Sequence, residues 1–232
     1  MANKIVKTIA GLAGVNITRY NKALDQYRLL FNKYKSYTMI PEETFITNLE
    51  LCSRFLSVEG DIVECGVWRG GMIAAITELT ELKKQAHLFD SFEGLPPAKP
   101  IDGKDALTWQ KNTKGETYYD NCAADESFAL GAMKLSGSNN YKLYKGWFQN
   151  TLDQYEEKPI SILRLDGDWY DSIKVCLDKL YPFVTEGGII VLDDYYIWDG
   201  CTKAAHDYLS EIKSPSRVHH WNNQVAYIIK KR

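Results

Sequence analysis

The spacing of apolar residues changes near residue 59, and that change organises the chain. Upstream, apolar positions recur at helical intervals: "YNKALDQYRLLFNKY" sets Tyr20, Leu24, Tyr27, Leu30 and Phe31 at the spacing of a helix. "PEETFITNLELCSRFL" opens with Pro41 and two glutamates, a composition that suits the first turn of a second helix. Downstream, short apolar runs alternate with amphipathic stretches. "DIVECG", "AHLFDS", "NYKLYKG", "ISILRLD" and "GGIIVLDD" predict strands. "MIAAITELTELKK", "WFQNTLDQY", "SIKVCLDKLYPFV" and "CTKAAHDYLSEI" predict the helices that accompany them. "RVHHWNNQVAYIIKK" reads as two strands around a tight turn at Asn222-Asn223. This rhythm predicts an α/β fold: a mainly parallel sheet with helices on both faces and a C-terminal antiparallel hairpin. Residues 1–58 form an N-terminal helical extension and lid, and residues 59–232 the main domain. Residues 94–139 interrupt it. "GLPPAKPIDGKD" is rich in proline and glycine, and the polar stretch after it has only weak helical segments, which marks an insertion or lid.

Composition narrows the function classes. At 232 residues, 45% hydrophobic and 25% charged, the chain suits one globular domain with a substantial core. A formal net charge of -2 gives no basic excess for a nucleic-acid partner. Five scattered cysteines form no CxxC pair, and the four histidines complete no zinc pattern, so reduced thiols and a cytoplasmic location are expected. No apolar run reaches the ~20 residues that span a bilayer. "MANKIVKTIAGLAGVN" is expected as a surface or interface helix without stable membrane insertion, and the apolar side chains of the N-terminal segment point to a homodimer or higher homo-oligomer.

The chemistry gathers where the strands end, which is where ligands bind in such sheets. Asp166, Asp168 and Asp171 crowd the end of "ISILRLD", and Asp193 and Asp194 close "GGIIVLDD". Clustered carboxylates repel, and a metal ion is the simplest remedy. Magnesium takes six oxygens, so three carboxylates and two neighbouring acceptor hydroxyls suit it. Asp193 and Asp194 share a metal only if the strand ends there, because adjacent strand residues face opposite ways. Asp168 and Asp171 also have a plainer reading as N-caps of the following helix.

"ECGVWRGG" follows the first strand and opens a helix, a glycine turn for a nucleotide-like ligand. Trp68 stands where a dinucleotide fingerprint needs glycine, which argues against NAD. S-adenosylmethionine has a ribose but no phosphate, so it tolerates the bulkier turn. Glu64 then meets its amino group, the turn amides meet its carboxylate, and Asp90 accepts from the ribose hydroxyls. A helix-packing glycine turn is the plain alternative.

"GDIVECGVWRGG", "LFDSFEGLPP", "KGWFQNTL", "LRLDGDWYDS" and "GGIIVLDDYYIWDGC", in this order, resemble the macrocin O-methyltransferase family, whose members methylate sugars on antibiotics. The resemblance runs from Tyr37 to near the carboxyl terminus. It implies a class I, Rossmann-like methyltransferase fold, S-adenosylmethionine and a magnesium ion. It puts metal binding on Asp166, Asp193 and Asp194, and the general base on Asp168. Cofactor contacts fall on Glu64, Gly66, Val67, Trp68, Arg69, Gly70, Asp90, Ser91, Gly146, Trp147, Phe148 and Asp166. Thr38 and Met39, with Tyr37, match a mobile lid over the site. The C-terminal "AYIIKKR" departs from the family's tryptophan-arginine strand, and Pro96 to Lys142 matches poorly.

Other residues have plainer roles. Cys65 and Cys176 read as core thiols, and His206, His219 and His220 as surface or packing residues. Arg164 reads equally as a structural ion pair or as a carboxylate partner in the site. Trp109, Tyr118 and Tyr119 form either an aromatic floor for a sugar or a lid anchor, while Tyr195, Tyr196 and Trp198 shape an acceptor pocket. The leading function is a magnesium-dependent O-methyltransferase acting on a sugar hydroxyl of a glycosylated small molecule or glycan. A catechol-type O-methyltransferase and a non-catalytic S-adenosylmethionine-binding protein are the alternatives.

Overall fold

The computed structural model describes residues 24–231. Tyr20 and the "MANKIVKTIAGLAGVN" helix expected near the start lie outside the described residues. The chain then runs α1 (Asp25–Tyr34), α2 (Glu42–Ser53), β1 (Asp61–Cys65), α3 (Gly71–Leu79), β2 (Ala86–Asp90), α4 (Gly103–Lys111) and α5 (Glu126–Ser136). It continues β3 (Tyr141–Lys145), α6 (Phe148–Thr151), β4 (Ile160–Leu165), α7 (Tyr170–Leu180), β5 (Val184–Leu192), α8 (Asp199–Glu211), β6 (Val218–Trp221) and β7 (Val225–Ile229).

Among the described residues seven strands form one sheet in the order β3-β2-β1-β4-β5-β7-β6. β1 to β5 pair in parallel, whereas β7 runs antiparallel to β5 and β6 antiparallel to β7. The expected α/β architecture and C-terminal hairpin are both present. Asn222 and Asn223 have φ of 51° and 56°, the left-handed pair that a tight hairpin needs and asparagine tolerates. Strand order reverses between β1 and β4, so their carboxyl ends open a crevice.

The central strands β1, β2, β4 and β5 bury both faces, because helices cover both, whereas the edge strands β3 and β6 stay partly exposed. Ile62, Ile162 and Val191 pack under α1, α2, α3 and α5, while Val63, Leu163 and Leu165 pack under α7 and α8. Tyr27 and Phe45 tie α1 and α2 to the first cluster, with Phe31 and Phe45 edge to face at 5.5 Å. Burying each such side chain contributes about 1.5–3 kcal/mol.

Two elements differ from expectation. α3 stops at Leu79, short of the "TELKK" tail, because Thr80 turns out of the helix and Glu81 and Leu82 take positive φ. The weak helical segments expected within 94–139 are two full helices. α5 is N-capped by Asp125, which accepts from the Ser127 amide at 2.9 Å, and ends at left-handed Gly137. Its buried face is Ala129, Ala132, Met133 and Ser136; the two alanines bring it close to α3 but leave a faint apolar periodicity. No described helix is long and apolar enough to cross a membrane.

Candidate active site

The crevice beyond β1 and β4 widens into a cavity of about 1360 Å³. Backbone hydrogen bonds fix its floor. The Gly66 amide donates to the Phe89 carbonyl at 2.8 Å, and the Asp166 amide to the Cys65 carbonyl at 2.9 Å. Gly66 has φ +88°, and a Cβ there would stand 1.7 Å from the Asp166 carbonyl oxygen. Only glycine lets the ends of β1 and β4 meet this closely.

On the β1–β2 side, the carboxylates already have partners. Asp90 accepts from the Trp68 amide through Oδ2 at 2.8 Å and from the Phe92 amide through Oδ1 at 2.6 Å. It therefore holds the glycine turn in shape as well as facing the cavity. Burial raises its pKa, and the amide donors pull it back. Glu64, 2% exposed, pairs with Arg164, which is 1% exposed on β4. Burial pushes Glu64 up to about 7, with the Arg164 guanidinium pulling it back. Its Oε2 has no hydrogen-bond partner although buried. Glu64 is among the residues lining the cavity, and an orphaned acceptor there fits a ligand amino group.

Arg164 is one cation among three carboxylates. Besides Glu64, Nη1 lies 2.8 Å from Asp166 Oδ2 and Nη2 lies 2.5 Å from Asp193 Oδ1. The guanidinium stays charged, its pKa raised by Asp193, Asp166 and Glu64 against the opposing effect of burial. Of the two readings of Arg164, the ion pair and the site partner, the structure gives both at once.

On the β4–β5 side, Asp166, Asp168 and Asp194 each offer an oxygen within 4.8 Å of the others. Asp194 accepts from the Asp168 amide at 3.0 Å, and Asp168 accepts from the Trp198 indole at 2.8 Å. Asp168 holds φ +56°, a left-handed conformation costly for a non-glycine residue. Burial and mutual repulsion raise all three carboxyls: Asp166 to about 6, Asp168 to about 8, and Asp194 well above the carboxylate range. Three hard oxygens that resist charging together fit a divalent cation such as magnesium.

This trio is not the expected one. The expected metal set is Asp166, Asp193 and Asp194, whereas the carboxylates that cluster among the described residues are Asp166, Asp168 and Asp194. The β5 ladder does end at Leu192, as sharing required, but Arg164 draws the Asp193 carboxylate toward Glu64. Neither Asp168 nor Asp171 caps α7. The Tyr170 amide at its start donates to Asp102 Oδ1 at 2.7 Å, and Asp171 pairs with Lys99.

Thr38, Met39, Glu64, Gly66, Val67, Trp68, Asp90, Ser91, Trp147, Phe148 and Asp166 all border the cavity. The Tyr37 carbonyl accepts from the Gly71 amide at 3.0 Å, which seats the 37–39 segment over the start of α3. Gly146 and Gly70 serve the backbone instead. Gly70, at φ +81°, leaves room for Ala129 of α5. Arg69 stacks between Trp68 and Phe128 with ring distances of 4.4 and 4.5 Å. Ser91 is engaged in its own turn, donating to the Gly94 carbonyl at 3.1 Å.

The far wall is aromatic. Trp109 lies 6.1 Å from Trp169 and 5.9 Å from Trp198 between ring centroids, and all three border the cavity. Trp169 donates to the Pro96 carbonyl at 2.9 Å, which ties the 94–139 segment to the turn carrying Asp168. Sequence reasoning missed Asp102 and Trp169. Both have partners remote in sequence, Asp102 meeting the Tyr170 amide and Trp169 the Pro96 carbonyl, so no local pattern marks them. His206 meets Tyr195 at 2.8 Å on the surface, and Cys65 and Cys176 are buried and free, as expected.

The sequence model of the family described as macrocin-O-methyltransferase (TylF) matches residues 19–230. The chain is similar to the 8-demethyl-8-(2,3-dimethoxy-alpha-L-rhamnosyl)-tetracenomycin-C 4'-O-methyltransferase of Streptomyces olivaceus, 31% identical over 172 residues that cover 70% of this chain and 64% of that protein. It is also similar to demethyldecarbamoylnovobiocin O-methyltransferase of Streptomyces niveus, 30% identical over 158 residues that cover 66% of this chain and 59% of that protein. The chain thus spans less than two thirds of the length of each of these two curated relatives. Among solved structures, that of the O-methyltransferase NovP superimposes with a TM-score of 0.70 at 25% identity, covering 84% of this chain and 83% of that one. The class I methyltransferase fold implied by the sequence motifs is the fold observed.

Proposed function

This chain belongs to the macrocin O-methyltransferase family, and from that premise we propose that it moves a methyl group from S-adenosylmethionine to a sugar hydroxyl of a glycosylated small molecule, with a magnesium ion at the acidic trio. The single observation that carries the reading is the juxtaposition of two unlike sites in one cavity. One is the half-satisfied Glu64 beside Asp90, and the other is the trio of Asp166, Asp168 and Asp194. The first suits a zwitterionic nucleoside. The second suits a cation with an oxygen-rich acceptor beside it.

The residues divide the work by position. Glu64 takes the amino group of S-adenosylmethionine through Oε2, and Asp90 accepts from its ribose. Asp166 and Asp194 would hold the metal with the inward oxygen of Asp168 beside them, and the bound metal would supply positive charge that acidifies an acceptor hydroxyl. Asp168 receives the hydroxyl proton as the new carbon–oxygen bond forms and the carbon–sulfur bond breaks. Trp109, Trp169 and Trp198 present ring surface and exclude water beside the acceptor. The names of the curated relatives, one of them a rhamnosyl methyltransferase, support a sugar-bearing natural product as the acceptor class.

The test is Asp168→Asn assayed with a rhamnosyl aglycone acceptor and S-adenosylmethionine. It keeps the side chain's size but not its basicity. Turnover is expected to fall by about 10²–10⁴ with S-adenosylhomocysteine affinity unchanged. Turnover within a factor of three of the parent would place the base elsewhere.

A further inference from the structure

We propose that Trp198 is the positioning residue of the acidic trio. The inference rests on the reading of that trio as a cation site that includes Asp168. Three hydrogen bonds close a ring through three residues. The Trp198 amide donates to the Asp194 carbonyl at 2.9 Å. The Asp194 carboxylate accepts from the Asp168 amide at 3.0 Å. The Trp198 indole donates to Asp168 Oδ1 at 2.8 Å. Trp198 thereby holds one oxygen of Asp168 and leaves the other for the centre of the trio.

The ring of Trp198 is itself clamped. It meets Trp169 edge to face at 5.3 Å and Trp109 at 5.9 Å between centroids. Its backbone is the N-cap residue of α8, so main chain and side chain are both fixed. Such restraint is what a strained residue needs. Asp168 sits at φ +56°, and its carboxylate lies beside two others that repel it. Without the indole, nothing described donates a hydrogen bond to the Asp168 carboxylate. Trp109 comes from α4 in the segment between β2 and β3, so the acceptor side of the cavity abuts the group that orients Asp168.

The experiment titrates the full chain with Mn²⁺, as a spectroscopic probe of the divalent site, in saturating S-adenosylhomocysteine. Four proteins are compared: Trp198→Phe, Trp198→His, Asp168→Asn and the Trp198→Phe/Asp168→Asn double variant. Phenylalanine keeps a ring in the cluster but has no donor. Histidine places Nε2 of its five-membered ring where indole Nε1 stands. Trp198→Phe is expected to weaken Mn²⁺ about tenfold or more, the worth of one hydrogen bond to a charged acceptor. Trp198→His is expected to recover most of that loss. In the Asp168→Asn background the Phe change is expected to add less than twofold, because the two residues act as one unit. A merely structural tryptophan predicts otherwise: an equal loss in both backgrounds and no rescue by histidine. Either of those results, or a Trp198→Phe affinity within twofold of the parent, overturns the proposal. Asp168→Asn alone tests the underlying reading, since parental Mn²⁺ affinity there would remove Asp168 from the site whatever Trp198 does.

Discussion

The two halves of the cavity treat negative charge in opposite ways. At the ends of β1 and β2, Glu64 has Arg164 and Asp90 has two backbone amides. At the ends of β4 and β5, Asp166, Asp168 and Asp194 face one another, and among the described residues the Arg164 contact to Asp166 is the one from a cation. The first half is largely complete and needs from a ligand only what fills Glu64 Oε2 and the cavity volume. The second is incomplete, and on the proposed reading a cation would relieve its repulsion. On the proposed reading, the closed half is expected to bind the cofactor without the metal, and the open half to depend on it. Among the described residues, Arg164 pairs with a carboxylate of each half, Glu64 on one side and Asp166 on the other.

The strongest way to break this division is therefore to remove Arg164. Arg164→Gln leaves Glu64, Asp166 and Asp193 without their shared guanidinium. Breaking a buried ion pair at one partner costs about 3–5 kcal/mol, because the other charge stays buried. Urea unfolding of the metal-free protein is expected to show a loss of that size, and Arg164→Lys a smaller one, since lysine keeps the charge but not the fork. A loss below about 1 kcal/mol would mean that the three carboxylates are neutral or solvated and that the halves are not joined through this residue.

The next test acts on the open half alone. The trio's carboxyls are raised on folding, so the folded protein binds more protons than the unfolded chain between about pH 4 and pH 8, the value reached by Asp168. Stability then falls as pH rises through that window, the reverse of the usual salt-bridged carboxylate. For the metal-free protein the loss is roughly 2–3 kcal/mol, after discounting the partly buried Asp168 for solvent screening. Magnesium is expected to restore the melting temperature, and to do so more at pH 8 than at pH 5. A melting temperature that rises with pH in chelator would show that the trio does not repel itself.

The same contrast explains what could be read from the sequence. The β1–β2 half was legible because its function lies in the backbone. A glycine after an apolar strand, and an acid at the next strand's end, specify a turn before any tertiary contact forms. The hairpin at Asn222-Asn223 was legible for the same local reason. The acidic half was legible as a cluster but not in its pairing. Whether Asp193 or Asp168 faces the centre depends on Arg164, which reaches across from the neighbouring strand. α5 hid because half of its buried face is alanine, and the aromatic wall hid because its parts come from three separate segments: Trp109, Trp169 and Trp198.

The mildest test separates the halves without touching a proposed ligand. Asp102 is 2% exposed. Its Oδ1 accepts from the Tyr170 amide, and its Oδ2 accepts from the Lys99 amide, both at 2.7 Å. It thus caps α7 from outside the helix and fastens the 95–102 stretch beneath the turn that carries Asp168. It also packs so tightly against the start of α8 that a Cβ on Gly200 would stand 2.3 Å from Oδ1. Asp102→Ala removes the cap and leaves the Tyr170 amide without its acceptor, at a cost of about 1–2 kcal/mol. Asp102→Asn retains an acceptor oxygen and is expected to lose less. Because α7 begins two residues after Asp168, a looser helix start slackens the trio but leaves Glu64, Gly66 and Asp90 in place. Calorimetry on Asp102→Ala is accordingly expected to show S-adenosylhomocysteine affinity within twofold of the parent and divalent-cation affinity several-fold weaker. Equal losses for both ligands would mean that the cavity yields as one body, and the contrast between a closed half and an open half would not survive.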